Sequence, residues 1–214
     1  MHSDTERLSA VVARPPLPLR PPAFRSAAGR VPGSVVGGRY RLLHCCGGGA
    51  EFEFWHGRDV VTDRDVGLTV LSSDAGDAVD VDEVFARTVW MCGVNTPALA
   101  RIVDMVDTDS GGVVVAEWQS SCSLATAASV VPTRSEATRS ARPLTDAMRI
   151  AHRSGGVLHL DAPGRLRVGA GGHLYVAFPG TLPSADRLAD VRGLASALRG
   201  LLHGGGAGYG APVW

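Results

Sequence analysis

Residues 147–180, AMRIAHRSGGVLHLDAPGRLRVGAGGHLYVAFPG, decide the fold. The stretch opens as the end of a helix, turns at Gly155-Gly156, and continues as a short apolar strand ending at His159-Leu160-Asp161. Arg165 to Val168 and His173 to Phe178 then read as two strand-like runs, separated by a glycine-rich turn from Gly169 to Gly172. Two such runs joined by glycines predict a β-hairpin, because glycine supplies the backbone conformations that a tight reversal needs.

The elements around this stretch follow from periodicity. Upstream, Leu144, Ala147, Met148, Ile150 and Ala151 give the preceding helix an apolar face, and Pro143 suits its first turn. The polar segment Pro132 to Arg142 is expected to be a loop, Leu124 to Val130 a short helix, and Ser120 to Ser123 a polar crossing. Further back, Arg39 to Leu43, Glu51 to His56 and Asp65 to Leu71 alternate as strands do, with connections too short for anything but an antiparallel meander. Asp80 to Cys92 repeats its apolar residues at helical spacing, and Asn95-Thr96-Pro97 stops it. Arg101 to Val106 and Gly112 to Trp118 make a hairpin. Downstream, Ser184 to His203 keeps a helical period until Gly204-Gly205-Gly206 ends it.

Composition narrows the function classes. Twenty-one basic residues balance 21 acidic ones, so net charge argues for neither a nucleic acid nor a strongly acidic partner. Every basic residue is arginine, so no step can use a lysine amine. Cys45, Cys46, Cys92 and Cys122 lack metal-binding spacing and read as reduced thiols in a cytoplasmic protein. No apolar run is long enough to span a bilayer, and no secretory leader is evident. Residues 1–36 are rich in proline and arginine and are expected to form a disordered tail; Arg7, Arg14, Arg20, Arg25 and Arg30 could touch a membrane face or an acidic partner.

From Gly38 to about Gly210 the chain resembles bacterial serine/threonine protein kinases, and more closely the kinase-like cytoplasmic domain fused to lipid II flippases of the MviN/MurJ type. The resemblance rests on GRYRLL at 38–43, the F-W-x-x-x-D pattern at 54–59, GGVVVAEW at 111–118, AHRSGGVL at 151–158 and the run Asp190-Val191-Arg192-Gly193-Leu194, in that order and spacing. It implies an α+β, protein kinase-like two-lobe fold: a five-stranded N-lobe over residues 37–118 and a truncated helical C-lobe over residues 119–214.

Phosphoryl transfer is mainly positioning and charge stabilisation, so the kinase motifs can be read charge by charge. Gly47, Gly48 and Gly49 stand at the glycine loop, but bunched, with Glu51 adding a negative charge; they read as a strand turn. Thr69 stands where the resemblance expects the phosphate-binding lysine, and Arg87 or Thr88 where it expects the glutamate that pairs that lysine. Glu117 lies at the edge of the same vestigial cleft. Asp161 matches the catalytic base, yet the loop is one residue short and puts Arg165 or Leu166 at the metal-binding asparagine. Ala177 replaces the metal-binding aspartate of the D-F-G motif. His159 and Asp190 are expected in structural roles, the latter accepting backbone hydrogen bonds from the catalytic loop, and His152 as a satisfied helix-end histidine. No activation loop or peptide platform fits between Pro179 and the last helix.

One positioned charge at an active site is worth about 3–4 kcal/mol, and several are absent. The expectation is therefore a pseudokinase with no cofactor and no metal, acting as a protein-binding or regulatory scaffold. The flippase resemblance adds a setting at the inner face of the membrane near peptidoglycan synthesis, with membrane contact only through the tail or a partner. It also adds a regulatory partner that reads phosphothreonine and an upstream active kinase. Thr133 and Thr138, in the polar loop, are the candidate phosphosites. The competing expectation is a nucleotide-binding protein in which Arg87 or Arg165 replaces lysine and metal.

Overall fold

The computed structural model describes residues 29–49, 51–72, 80–109, 111–130, 132–182 and 184–203. Expectations for the tail through residue 28 and for Gly204-Gly205-Gly206 lie outside the described residues.

One sheet carries the first half of the chain. Its strands are β1 (Val35–Val36), β2 (Tyr40–Gly48), β3 (Phe52–Asp59), β4 (Arg64–Leu71), β5 (Ile102–Thr108) and β6 (Gly111–Glu117), in the order β1-β2-β3-β4-β6-β5, with every pairing antiparallel. Five strands were expected; the sixth is β1, and the ordered chain begins before Gly37. Gly33 N–H donates to Leu42 O, and Leu42 N–H to Ser34 O, so backbone pairing extends past β1 toward the N-terminus. Arg30 reaches Ser72 Oγ at 3.0 Å and the buried carboxylate of Glu53 at 3.5 Å. Alternation could not reveal a two-residue strand. The sheet curls until its two edges approach: Tyr40 Oη donates to Asp104 Oδ2 at 2.6 Å. Tyr40, Leu42, Trp55, Leu68, Val70 and Val115 fill the inside of the curl.

Helix α1 (Val81–Thr88) leads into a 3-10 turn, Val89–Gly93, beneath this sheet. Asp80 caps α1, its side chain accepting from Glu83 N–H.

The second half holds α2 (Leu124–Ala128), α3 (Arg134–Arg153), α4 (Arg187–Leu202) and a small sheet of β7 (Ser121–Ser123), β8 (Leu166–Gly169) and β9 (Leu174–Val176). The hairpin expected after Asp161 is β8–β9, with Leu166 opposite Val176. Three expectations need correction. The apolar run ending at Asp161 is not a strand: residues 156–159 are irregular and 160–161 form a turn. The polar crossing at 121–123 is a strand, paired with β8. The expected loop from Pro132 to Arg142 is the first half of α3, and Pro143 sits inside that helix. The helix starts early because Thr133 and Glu136 form a reciprocal capping box, and because Ala137, Ala141, Leu144, Ala147 and Ala151 keep one small-residue stripe buried through the proline. That stripe, with Leu158, Leu160, Leu174, Val176, Leu194 and Leu201, forms the core of this lobe.

Candidate functional site

The kinase motif positions converge between the sheet and the helical lobe. Strand β3 turns Phe52 and Phe54 toward the lower lobe, as period-two alternation requires. The segment after β9 sends Phe178 up to meet them. Phe54 stacks on Phe178 with ring centroids 5.3 Å apart, Phe52 lies 5.1 Å from Phe54, and Trp118 lies 6.1 Å from Phe178. This aromatic cluster occupies the interlobe space.

Arg165 completes it. The residue ends the 3-10 turn Pro163–Arg165 and is 1% exposed. Its Nη1 donates to Leu158 O at 3.3 Å and His159 O at 3.1 Å, and its guanidinium carbon lies 5.7 Å from the Phe52 ring and 5.3 Å from the Phe54 ring. Two carbonyls and two ring faces are the substitute for water here; a cation over a desolvated aromatic face gains about 2 kcal/mol. Burial lowers its pKa to about 9, opposed by the charges of Asp161 and Asp190, so it stays protonated at neutral pH. Sequence reading had Arg165 at the start of a strand run, beside Leu166 as an occupant of the metal-binding asparagine position, or as a replacement for lysine and metal. Nothing in a local window signals a buried guanidinium, because its partners come from β3.

The remaining motif positions follow. Thr69 is 1% exposed, and its Oγ1 donates to Pro179 O at 2.7 Å. That bond ties β4 directly to the segment containing Ala177, which is itself buried. Gly47 and Gly48 belong to β2, opposite Phe54 and Glu53, instead of forming the turn; both have positive φ. Gly49 N–H donates to Phe52 O. Gly164 lies against this loop: a Cβ there would meet Phe54 Cδ2 at 3.1 Å and Gly47 Cα at 3.5 Å. The glycine strand thus rests on the turn that follows Asp161.

Asp161 is half exposed, with Oδ1 3.3 Å from His159 Nε2. His159 is buried and holds a left-handed backbone, φ 59°. Burial, and then the neighbouring Arg165 charge, push its imidazole down to about 3, so it is neutral at physiological pH. Asp190 is fully buried on α4; it accepts from Leu158 N–H at 2.8 Å and Leu160 N–H at 3.0 Å, and lies 2.8 Å from His152 Nε2. These bonds hold the loop through residue 160 to α4. Thr88 Oγ1 accepts from Thr181 N–H, while Arg87 pairs with Glu83 at 2.8 Å on the surface, away from the cluster. Glu117 pairs with Arg101, which lowers its pKa.

Near Trp118 the structure joins residues that sequence reading left apart. His56 stacks on the indole at 4.2 Å, Arg167 lies over it at 5.1 Å, and His44 Nδ1 approaches His56 Nδ1 at 3.4 Å. Burial and the neighbouring His44 hold His56 down to about 4. Among the described residues, no group of three or more His, Cys, Asp or Glu side chains could hold a metal ion. Thr133 and Thr138 are exposed, but as a helix cap and a helical residue, not on the expected loop.

No protein-family model matches the chain. Among solved structures, the chain is similar to the kinase domain of Mycobacterium tuberculosis PknI: 17% identity, TM-score 0.60, covering 82% of this chain and 78% of that one. A double mutant of the same domain gives 18% identity and TM-score 0.61, over 82% and 76% of the two chains. The chain therefore has a protein kinase-like, two-lobe α+β fold.

Proposed function

We propose that this kinase-like chain is a binding module without phosphotransfer activity, its nucleotide cleft filled by its own side chains. The observation that carries the reading is the plug: Phe54 stacked on Phe178, with the Arg165 guanidinium buried against Phe52 and Phe54. The residues present do not fit a magnesium nucleotide. Ala177 offers no oxygen ligand, the adjacent cation would repel a metal ion, and Thr69 already spends its hydroxyl on Pro179 O. Asp161 then has a nearby histidine but no reacting group beside it.

In this reading the service of the lobes is shape. Asp190 and the β8–β9 hairpin keep the loop through Asp161 in place although its chemistry is gone. The resemblance to flippase-linked domains supports a setting at the cytoplasmic face of the membrane near peptidoglycan synthesis. It also supports a partner that reads phosphothreonine after an upstream kinase has acted. Among the described residues, no helix is long and apolar enough to cross a membrane. Thr133 is the better of the two phosphosites, because a phosphate at the start of α3 lies at the positive end of the helix dipole.

The arginine-based nucleotide site is the less supported reading. Arg87 is paired with Glu83 on the surface, and Arg165 is used inside the plug. A phosphotransfer assay with a generic protein substrate and magnesium or manganese ATP tests the proposal: no transfer above a protein-free blank is expected, and transfer that disappears in Asp161→Asn would overturn it.

A further inference from the structure

The balanced net charge conceals a division. Between residues 29 and 118 the chain has seven arginines and 14 carboxylates; from 119 to 214 it has ten arginines and five carboxylates. Helix α3 concentrates the second group. Arg134, Arg139, Arg142, Arg149 and Arg153 are all exposed on it. Of its two acidic residues, Glu136 is buried in the capping box, and only Asp146 shares the outer face, 3.7 Å from Arg149. Arg134, Thr138, Arg139, Arg142 and Asp146 lie side by side along the first half of this face, all on the one helix.

We propose that this face of α3 is a docking surface for an acidic protein segment, which names the kind of partner that the scaffold reading above requires and rests on that reading. Charge selects the class of ligand: clustered guanidiniums present planar donor forks that match carboxylates and phosphates. One feature favours a peptide over an anionic membrane: an interfacial helix needs an apolar face to insert, and the apolar stripe of α3 is already buried in the core of its own lobe. Thr138 Oγ1 donates to Arg134 O at 2.8 Å, so the specificity of the face lies in its arginines.

Fluorescence anisotropy of the full chain with a labelled Glu/Asp decapeptide, and with the same peptide bearing one phosphothreonine, tests this. The Arg139→Glu/Arg142→Glu double variant should weaken binding by about tenfold or more, and wild-type binding should fall steeply with added salt. Arg41→Glu/Arg64→Glu, on the sheet, should leave it within about twofold. Thermal melting checks that both variants fold. No binding by wild type at about 0.1 mM peptide, or equal binding by the α3 variant, overturns the proposal. Salt-sensitive self-association, or sedimentation with phosphatidylserine vesicles, that is lost in the α3 variant while peptide binding is absent would reassign the face to a second copy or to a membrane, and would also overturn it. The scaffold reading fails separately, through nucleotide binding by the same protein.

Discussion

Arg165 is a guanidinium buried where the two lobes meet. A guanidinium taken out of water costs several kcal/mol unless its donors and its charge are compensated. Here carbonyls from Leu158 and His159 accept from Nη1 and the faces of Phe52 and Phe54 lie against the cation, with Asp161 and Asp190 nearby, while its buried Nε has no hydrogen-bond partner among the described residues. Arg165→Ala would leave a cavity, two unsatisfied carbonyls and an unsupported aromatic pair. We expect a loss of about 3 kcal/mol in urea unfolding, and an unchanged midpoint would contradict the packing. His159 gives a pH prediction. Its pKa falls from 6.5 in the unfolded chain to about 3 in the fold. Between those values the unfolded state takes up a proton that the native state refuses, so stability is full above pH 6.5 and declines as pH falls toward 3. His159→Asn tolerates the left-handed backbone and removes the titration; its stability should depend less on pH across that window. Equal acid sensitivity in both proteins would exclude His159 as a source. Asp161, His159 and Asp190 could be found in the sequence because they sit in a recognisable local order. The buried state of Arg165 could not, because burial of a charge is a tertiary event that local pattern does not encode.

Among elements, α4 and α3 bear opposite lessons. The last helix was legible from its apolar period, and its buried Asp190 from the run around it. What the sequence did not reveal is how tightly α4 meets the loop before Asp161. A Cβ at Gly193 would lie 2.2 Å from both Leu160 C and O. Gly193→Ala therefore cannot be absorbed by a rotamer change; we expect a loss of about 3 kcal/mol or more, measured by thermal or chemical unfolding. A mild effect would mean that the loop is not held against the helix. Helix α3 was misread because its first half buries alanines and a serine, which carry little hydrophobic signal, and because Pro143 looks like a beginning. The Thr133-x-x-Glu136 capping signature was present in the sequence and outweighs the proline. Thr133→Ala should cost about 1 kcal/mol, with Glu136→Gln milder because an amide can still accept from Thr133 N–H. If neither changes stability, the start of α3 is not held by this box.

On the scale of the whole molecule, the order of strands and helices came from periodicity and the short connections between them, and the expectation of two lobes from the resemblance to protein kinases. The relation of the lobes was not legible. Contact between Gly47 and Gly164, the Thr69 bond to Pro179 O, and the Phe54–Phe178 stack all join residues far apart in sequence. Together they pack the two lobes against each other. Separation of charge between the lobes is likewise invisible to a net charge of zero and appears only when the two halves are counted apart. Calorimetric titration of the purified full chain with ATP, alone and with Mg²⁺ or Mn²⁺, tests whether the interlobe space is filled. A filled cleft predicts no binding heat at about 1 mM ATP under any of these conditions. Saturable binding with a Kd near about 10 μM, lost when ATP is replaced by buffer, would contradict it and return the interlobe space to nucleotide.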